Sequence, residues 1–172
     1  MQIIKTKFKN LLIYKKPTHK DKRGFFREMF VRKDIKKNFV FDVMSYSKKN
    51  VLRGMHIQKK KSQGKLITVI KGKVFDVAVD CRKKSKTFGK IFTTEMSADK
   101  NISLYIPEGF AHGFCSLKDN TILHYKCTEY RDEKSETGII WNDNYLKIKW
   151  PVLKPILSKK DKKNVEFKKI NF

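Results

Sequence analysis

Short apolar runs, separated by turn residues, recur along the whole 172-residue chain and restrict its fold more than any other feature. The runs are rich in β-branched and aromatic residues, and Gly, Pro, Asn or Asp interrupts them about every eight to twelve residues. Few segments keep the 3.6-residue period of an amphipathic helix. The sequence therefore predicts an all-β sandwich, jelly roll or barrel with few short helices.

Two pairs of these runs predict β-hairpins. Lys65–Ile70 and Val74–Asp80 are joined by a tight turn at Gly72. Farther along, Phe114–Leu117 and Thr121–Thr128 are joined by a three-residue polar turn. Alternation with a period of two places successive residues of each run on opposite faces of a sheet. Each pair is predicted to form adjacent antiparallel strands.

The alternation also predicts where two candidate functional side chains lie. Leu123, Tyr125 and Cys127 share one face of their strand. Because its neighbours on that face are apolar, the hydroxyl of Tyr125 is expected to be buried and to need a hydrogen-bond partner. Upstream, the Pro107–Gly113 segment is rich in turn residues and is predicted to be a loop that presents His112.

No internal repeat or flexible linker divides the chain. We therefore predict a single domain over residues 1–172, with a lysine-rich tail from about residue 162. Val31–Lys37 is predicted to be a helical turn or a short helix, and Asn38–Ser45 a strand that leads toward the centre of the sequence.

The formal net charge of +24 raises the possibility of nucleic-acid binding. Only six of the 41 basic residues are arginine, and the lysines are scattered over nearly every predicted loop. No helix-turn-helix, zinc-finger or aromatic RNA-binding motif is present. The sequence argues against nucleic acid as the partner, while the positive charge should steer small anionic ligands toward the protein.

The sequence also predicts the cellular compartment. No run of about 18 apolar residues is present, so no membrane-spanning segment is expected. The amino terminus lacks the apolar core of a secretory signal. The odd number of cysteines, Cys81, Cys115 and Cys127, without C-x-x-C spacing, indicates free thiols in a reducing compartment. A cytoplasmic protein is the simplest prediction.

The segment V-L-R-G-M-H-I-Q, residues 51–58, brings a cation and a titratable base close together in an apolar strand. In a regular strand Arg53 and His56 would point to opposite faces. Gly54 lies between them, where a strand can bulge or bend, so both side chains could face one cavity. Arginine suits phosphate and histidine suits proton transfer near neutral pH, which predicts an enzyme acting on a phosphorylated substrate.

Other catalytic chemistries have less support. The four histidines, His19, His56, His112 and His124, include no H-x-H pair, and no metal site is predicted. No G-x-S-x-G elbow or neighbouring Cys and His indicates a nucleophile. A His base, a Tyr acid and a stabilising cation from Lys65 or Arg53 remain, which suits removal of a proton next to a carbonyl through an enolate.

The chain resembles the dTDP-4-dehydrorhamnose 3,5-epimerases, which are cupin-type jelly-roll (double-stranded β-helix) enzymes. The resemblance covers residues 10–162 and rests on a series of motifs in order: D-K-R-G-F-F-R-E, N-V-L-R-G-M-H-I-Q, Q-G-K-L, V-F-D-V-A-V-D-C-R, I-P-E-G-F-A-H-G-F, Y-K-C-T, E-T-G-I-I-W-N-D and L-S-K-K-D.

This resemblance implies roles for individual residues. His56 would be the general base, and Asp161 in L-S-K-K-D would pair with it and orient it. Tyr125 would protonate the sugar from the opposite face, and Lys65 would stabilise the enolate oxygen. The nucleotide diphosphate and sugar would be held by a further set: Arg23, Glu28, Arg53, His112 and Glu136. The family implies no cofactor, and a homodimer that exchanges strands across its interface.

Several substrate-binding positions depart from the usual pattern. Phe41-Asp42-Val43 stands where the family reads Q-D-N, so two amide side chains are replaced by apolar ones. Arg131 replaces an aromatic residue that can stack on the base, and Lys160 replaces an arginine. A 3- or 5-monoepimerase, an enzyme for another nucleotide-linked 4-keto sugar, and a non-catalytic cupin that binds a nucleotide sugar remain alternatives.

Overall fold

The computed structural model describes residues 1–172, and almost all of its regular structure is β-strand, which confirms the all-β prediction. The strands are β1 (Gln2–Lys5), β2 (Leu12–Lys15), β3 (His19–Asp21), β4 (Gly24–Phe26), β5 (Phe41–Ser47), β6 (Leu52–Gln58), β7 (Lys65–Lys71), β8 (Lys73–Asp80), β9 (Ile91–Ser97), β10 (Ile102–Ile106), β11 (Phe110–Ser116), β12 (Thr121–Cys127) and β13 (Glu136–Gly138). Short 3₁₀ turns cover Ala98–Lys100, Asp161–Lys163 and Phe167–Lys169.

Two antiparallel sheets pack face to face as a jelly roll. The larger sheet has the order β1-β2-β10-β7-β12-β5, and the smaller has the order β13-β6-β11-β8-β9. The main apolar core lies between them, with Ile67 and Leu123 from the larger sheet against Ala78 and Phe114 from the smaller. Burial of such aliphatic and aromatic side chains is the main term that stabilises a sandwich.

The outer faces of the two sheets are partly covered as well. Segment 28–39 lies over the larger sheet, where Ile35 packs with Tyr14 and Tyr105. The carboxyl-terminal segment lies over the smaller sheet, where Phe167 is buried with Met55. The lysine-rich tail thus contains a residue that belongs to a core cluster.

The two predicted hairpins are wrong. β7 and β8 meet at Gly72, but β7 belongs to the larger sheet and β8 to the smaller. β11 and β12 are likewise consecutive in sequence and lie in different sheets. A turn sequence between alternating strands indicates a reversal of direction, and it does not specify whether the chain returns to the same sheet or crosses to the facing one.

Smaller differences concern local elements. Val31–Lys37 forms one turn, with the amide of Ile35 donating to the carbonyl of Val31, and no helix. The predicted loop that presents His112 is mostly strand, because β11 already begins at Phe110. None of the helical turns has the length and hydropathy that crossing a membrane requires.

Candidate active site

A cavity of about 460 Å³ opens between the inner faces of the two sheets. That volume is within the range of small-molecule binding sites. Six strands and the segment before the Asp161 turn contribute to its wall. Its lining residues are Phe41, Val43, Ser45, Arg53, His56, Ile57, Gln58, Gln63, Lys65, His112, Phe114, Tyr125, Cys127, Arg131, Glu136, Ser158, Lys160 and Asp161.

The bend predicted in β6 is present and turns Arg53 and His56 into the cavity. Gly54 has φ of +126°, a conformation that side-chain-bearing residues rarely adopt. A Cβ at Gly54 would lie 2.5 Å from the Cα of Gly113, so the backbones of β6 and β11 approach closely here. Arg53 and His56 therefore line the same cavity, as the sequence predicted.

His56 is paired with a buried carboxylate. Its Nε2 lies 2.5 Å from Oδ1 of Asp161, and Asp161 is itself held by a hydrogen bond from its amide to Oγ of Ser158. Burial acts to raise the pKa of Asp161, but the hydrogen bond and charge of His56 outweigh it and hold that pKa below its ordinary value. The pairing fixes the ring and leaves Nδ1 of His56 without a protein partner.

Tyr125 enters the cavity from the larger sheet. Its hydroxyl lies 3.1 Å from Oγ of Ser45, and its ring centroid lies 6.3 Å from that of His112. Burial raises the pKa of Tyr125 well above its ordinary value, against a smaller opposing effect of the Ser45 hydrogen bond. The expected burial and hydrogen-bond partner of this tyrosine are both observed, and the phenol is held in its neutral, proton-donating form.

Two cationic side chains also face the cavity. Lys65 begins β7 beside Cys127 of β12. Burial lowers the pKa of Lys65, while the charges of Cys127 and Glu136 act in the opposite direction. The guanidinium of Arg53 donates to Oγ of Ser47 at 3.1 Å and to the carbonyl of Tyr46 at 2.8 Å, which fixes its plane.

A second histidine–carboxylate pair lies deeper in the site. Nε2 of His112 is 3.0 Å from Oδ2 of Asp76, and both side chains are almost completely buried. Asp76 was not among the predicted site residues, although it is a carboxylate within the alternating V-F-D-V-A-V-D strand. A buried carboxylate in an apolar strand needs a partner, so the position of Asp76 in this run could have indicated a site residue.

Three charged residues form a network at the rim of the cavity. Glu136 accepts from Nε of Arg131 at 3.0 Å through one carboxylate oxygen and from Nζ of Lys160 at 2.9 Å through the other. Arg131 and Lys160 are about half exposed, whereas Glu136 is largely buried. One carboxylate thus holds two cations side by side at the opening.

The wall formed by β5 is apolar where the family pattern has amides. Phe41 and Val43 both line the cavity, and Val43 lies opposite Tyr125 in the β5–β12 register. The ring of Phe41 packs at 6.3 Å from that of Tyr130, an exposed aromatic residue. Phe41 and Val43 can make stacking and apolar contacts, and their side chains offer no hydrogen bonds.

Three of the predicted substrate contacts do not line the cavity. Asp42 was predicted as a contact, and that prediction is wrong for this cavity, because strand alternation turns it to the outer face, where it pairs with Lys126 and His124. Arg23 and Glu28 belong to the exposed region around the β3–β4 hairpin. Arg23 is paired there with Asp21.

Ser45 and Ser158 are further site residues that the sequence did not single out. Each contacts a predicted catalytic side chain or its backbone, and serine is too common on strands and turns to signal such a role. No group of three or more His, Cys, Asp or Glu side chains is placed to hold a metal ion.

Comparison with known proteins assigns the chain to a family. Residues 5–169 match the family model described as dTDP-4-dehydrorhamnose 3,5-epimerase. The Shigella flexneri protein named dTDP-4-dehydrorhamnose 3,5-epimerase is 46% identical over 168 residues, which cover 94% of this chain and 93% of that protein.

Solved structures agree with the sequence match. A Legionella pneumophila 3,5-epimerase, crystallised with dTDP-4-keto-L-rhamnose, superposes with a TM-score of 0.95 at 40% identity, covering 99% of this chain and 94% of that one. A Bacillus anthracis dTDP-4-dehydrorhamnose 3,5-epimerase, crystallised with TDP and pyrophosphate, gives a TM-score of 0.93 at 41% identity, covering 96% and 98%. On sequence, fold and coverage together, this chain belongs to the dTDP-4-dehydrorhamnose 3,5-epimerase family.

Proposed function

We propose that this protein is an isomerase that inverts C3 and C5 of dTDP-4-dehydro-6-deoxy-D-glucose, giving dTDP-4-dehydro-L-rhamnose. Family membership and the ligands of the solved relatives support the substrate class. The observation that carries the chemistry is the convergence of the His56–Asp161 pair, Tyr125 and Lys65 on one cavity. No cofactor is needed, because the ketone at C4 acidifies the protons on both neighbouring carbons.

Proton removal is assigned to His56. Its Nε2 is engaged by Asp161, so Nδ1 is the atom that accepts the proton from the sugar carbon. The carboxylate of Asp161 then stabilises the imidazolium that forms and keeps the ring in one orientation. The depressed pKa of Asp161 keeps it ionised at neutral pH, as this role requires.

The enolate oxygen that develops at C4 needs nearby positive charge or hydrogen-bond donors. We assign it to Lys65, whose ammonium faces the cavity, with His112 as a second donor oriented by Asp76. In a cavity screened from water such groups stabilise developing charge more strongly than they do in solution.

Tyr125 completes the inversion by returning a proton to the opposite face of the carbon. It lies on the larger sheet, whereas His56 lies on the smaller sheet. Base and acid therefore approach a sugar between the sheets from two sides. The raised pKa of Tyr125 keeps the phenol protonated until it transfers its proton to the enolate carbon.

The diphosphate is assigned to the cations of the cavity. Arg53 offers a fixed guanidinium, and Lys160 and Arg131 are held at the rim by Glu136. The net charge of +24 supports attraction of a doubly charged nucleotide sugar. The aromatic pair Phe41 and Tyr130 offers a surface on which a base can stack.

We further propose a cytoplasmic homodimer. The β3–β4 hairpin pairs with no other strand, and Phe25 and Phe26 on it are 63% and 67% exposed. Covering these rings with a second copy would remove apolar surface from water and bring Arg23 and Glu28 toward the partner's cavity. Light scattering of wild-type protein and a Phe25→Ser/Phe26→Ser variant tests this, since a wild-type monomer would contradict it.

All three cysteines are free and buried, which fits a reducing compartment.

Proton NMR of dTDP-4-keto-6-deoxyglucose incubated with the protein in D₂O tests the reaction. Deuterium entering both C3 and C5, with conversion to the L-rhamno configuration, is the expected result. Exchange at one carbon alone would make the protein a monoepimerase, and binding without any exchange would make it a non-catalytic binder. The Tyr125→Phe variant is the matched control, because it keeps the ring and removes only the proton donor.

A further inference from the structure

The hydroxyl of Tyr125 has one hydrogen-bond partner in the protein, Oγ of Ser45, at 3.1 Å. Ser45 lies on β5, the edge strand of the larger sheet, and it also lines the cavity. Its side chain is partly exposed. Ser45 therefore touches both the buried phenol and the solvent-accessible space, and none of the roles assigned above includes it.

The reaction places a specific demand on Tyr125. Each inversion consumes the proton of the phenol, and two inversions on one bound sugar require it twice. Burial raises the pKa of Tyr125, so a phenolate left in this position is strongly unfavourable and takes up a proton readily. A route by which a proton reaches the phenolate while the sugar still fills the cavity would meet this demand.

Arg53 and Cys127, whose charges also act on the phenol, are poor proton donors. Arg53 is close enough for its charge to act on Tyr125, but a guanidinium does not release its proton at physiological pH. The thiol of Cys127 is buried, and burial raises its pKa. A hydroxyl can accept one proton while it donates another, and Ser45 is the hydroxyl in contact with the phenol.

We propose that Ser45 relays protons from water to Tyr125 between the two inversions, an inference that rests on the proposed epimerase function. After Tyr125 has given its proton to the enolate carbon, Oγ of Ser45 donates its hydrogen to the phenolate oxygen. In the same step Oγ accepts a proton from a water molecule, so no alkoxide accumulates. His56 returns the proton that it took from the sugar to solvent, and the net proton balance of each inversion is zero.

The test compares Ser45→Ala, Ser45→Thr and Ser103→Ala with the wild-type protein in the D₂O experiment. Ser45→Thr keeps a hydroxyl at the relay position. Ser103→Ala removes a buried hydroxyl from the same sheet, where Ser103 bonds to Thr68 at 2.7 Å away from the cavity, and serves as the matched control. The measurements are kcat, KM and the fraction of released sugar that carries deuterium at one carbon only.

For Ser45→Ala we expect kcat to fall roughly 10- to 100-fold, the lower part of the range for general acid–base groups, with KM within about threefold of wild type. The fraction of sugar exchanged at one carbon should rise, because release then competes with slow reprotonation. Ser45→Thr should keep most of the activity and Ser103→Ala should match wild type.

Several results would overturn the relay. An unchanged ratio of singly to doubly exchanged sugar in Ser45→Ala would do so even if kcat fell, because a purely positional role slows both inversions alike. Equal losses of kcat in Ser45→Ala and Ser45→Thr would also contradict the relay, because Ser45→Thr keeps the hydroxyl. A wild-type protein that exchanges neither proton would refute both the epimerase function and the relay. If the wild-type protein exchanges both protons and Ser45→Ala does so at the same rate, the relay alone is refuted.

Discussion

Two aspartates, Asp161 in the cavity and Asp80 away from it, are both almost completely buried, and their surroundings differ. The carboxylate of Asp80 accepts from the side chains of Arg82, Ser85 and Thr87 and from the amide of Arg82. The main partner of Asp161 is the ring of His56, and weaker hydrogen bonds come from the side chain of Ser158 and the backbone of Gly54. The hydrogen bonds of Asp80 fix the loop that contains Arg82, Ser85 and Thr87. A carboxylate that is paired with a titratable ring, as Asp161 is, can instead take part in proton transfer.

The electrostatics reflect the same difference. Burial alone would raise the pKa of Asp80, yet the hydrogen bonds from Arg82, Thr87 and Ser85 lower it to about 2. The pKa of Asp161 is also lowered, through a partner whose own charge changes during the proposed reaction. In the proposed mechanism, Asp80 therefore stabilises the fold and Asp161 acts on the chemistry. Three predictions test this division, from the largest effect to the smallest.

Replacing the ring that Asp161 orients should have the largest effect. His56→Ala is expected to lower kcat by about 10³-fold or more, because the base that starts each inversion is lost. Calorimetric binding of dTDP should stay within a few fold of wild type, because the proposed diphosphate cations are untouched. Asp161→Asn, which leaves the base in place without its charged partner, should give a smaller loss of about 10²-fold. Rates near wild type in His56→Ala would show that another group removes the proton.

Replacing the structural aspartate should leave catalysis alone and weaken the fold. A folded-state pKa near 2 against 3.8 in the unfolded chain makes ionised Asp80 worth roughly 2 kcal/mol of unfolding free energy. Because its folded pKa is the lower one, this contribution is complete above pH 4 to 5 and disappears as the pH falls through 4 toward 2. Asp80→Asn should therefore lose about that much unfolding free energy at pH 7. Its unfolding free energy should fall less than that of wild type as the pH is lowered, and kcat of the folded enzyme should be unchanged.

Denaturant unfolding at pH 7 and pH 3, together with kcat at pH 7 and low temperature, checks this expectation. Asp161→Asn provides the converse measurement, since it should lose activity with a smaller change in unfolding free energy. Equal losses of stability in the two variants would remove the distinction between the two carboxylates.

The rim network should show the smallest effect. Lys160 is half exposed and paired with Glu136, so its charge is partly screened by water. Lys160→Gln should raise KM by about three- to fivefold and leave kcat unchanged, and it should weaken the dependence of KM on salt. Lys159→Gln is the matched control, because Lys159 is an exposed neighbour that does not line the cavity. An equal rise of KM in both variants would mean that the overall charge of the protein attracts the substrate and that no particular contact of Lys160 does.

Sequence patterns predicted the strands and the inner face of β12 well, because burial on one side of a strand imposes a period of two. They also predicted that Gly54 would let Arg53 and His56 face the same cavity. The hairpins predicted at Gly72 and before Thr121 are wrong, since the choice between two facing sheets depends on contacts between distant residues. The loop predicted around His112 failed for a similar reason, as strand pairing with β6 and β8 overrides its turn-like composition.

Site residues divide in the same way. Tyr125 and His56 could be proposed from their strands alone. Asp161 is 105 residues from His56 in sequence and comes from a 3₁₀ turn, so only the family resemblance indicated it. Asp42 shows the opposite failure, because resemblance to a motif placed it in the site while simple alternation turns it away.

The order of strands has a consequence for how the protein comes to be active. Only β1–β2, β3–β4 and β8–β9 join strands that are consecutive in sequence, and every other pairing closes a long loop. Such high contact order makes folding slow, because the entropy of closure is lost before the contacts form. During synthesis β6 cannot find β11 until residue 116 has emerged, and His56 meets Asp161 later still. The proposed catalytic pair can therefore form only after residue 161 has emerged, so a nascent chain can contain every strand of both sheets before it can react.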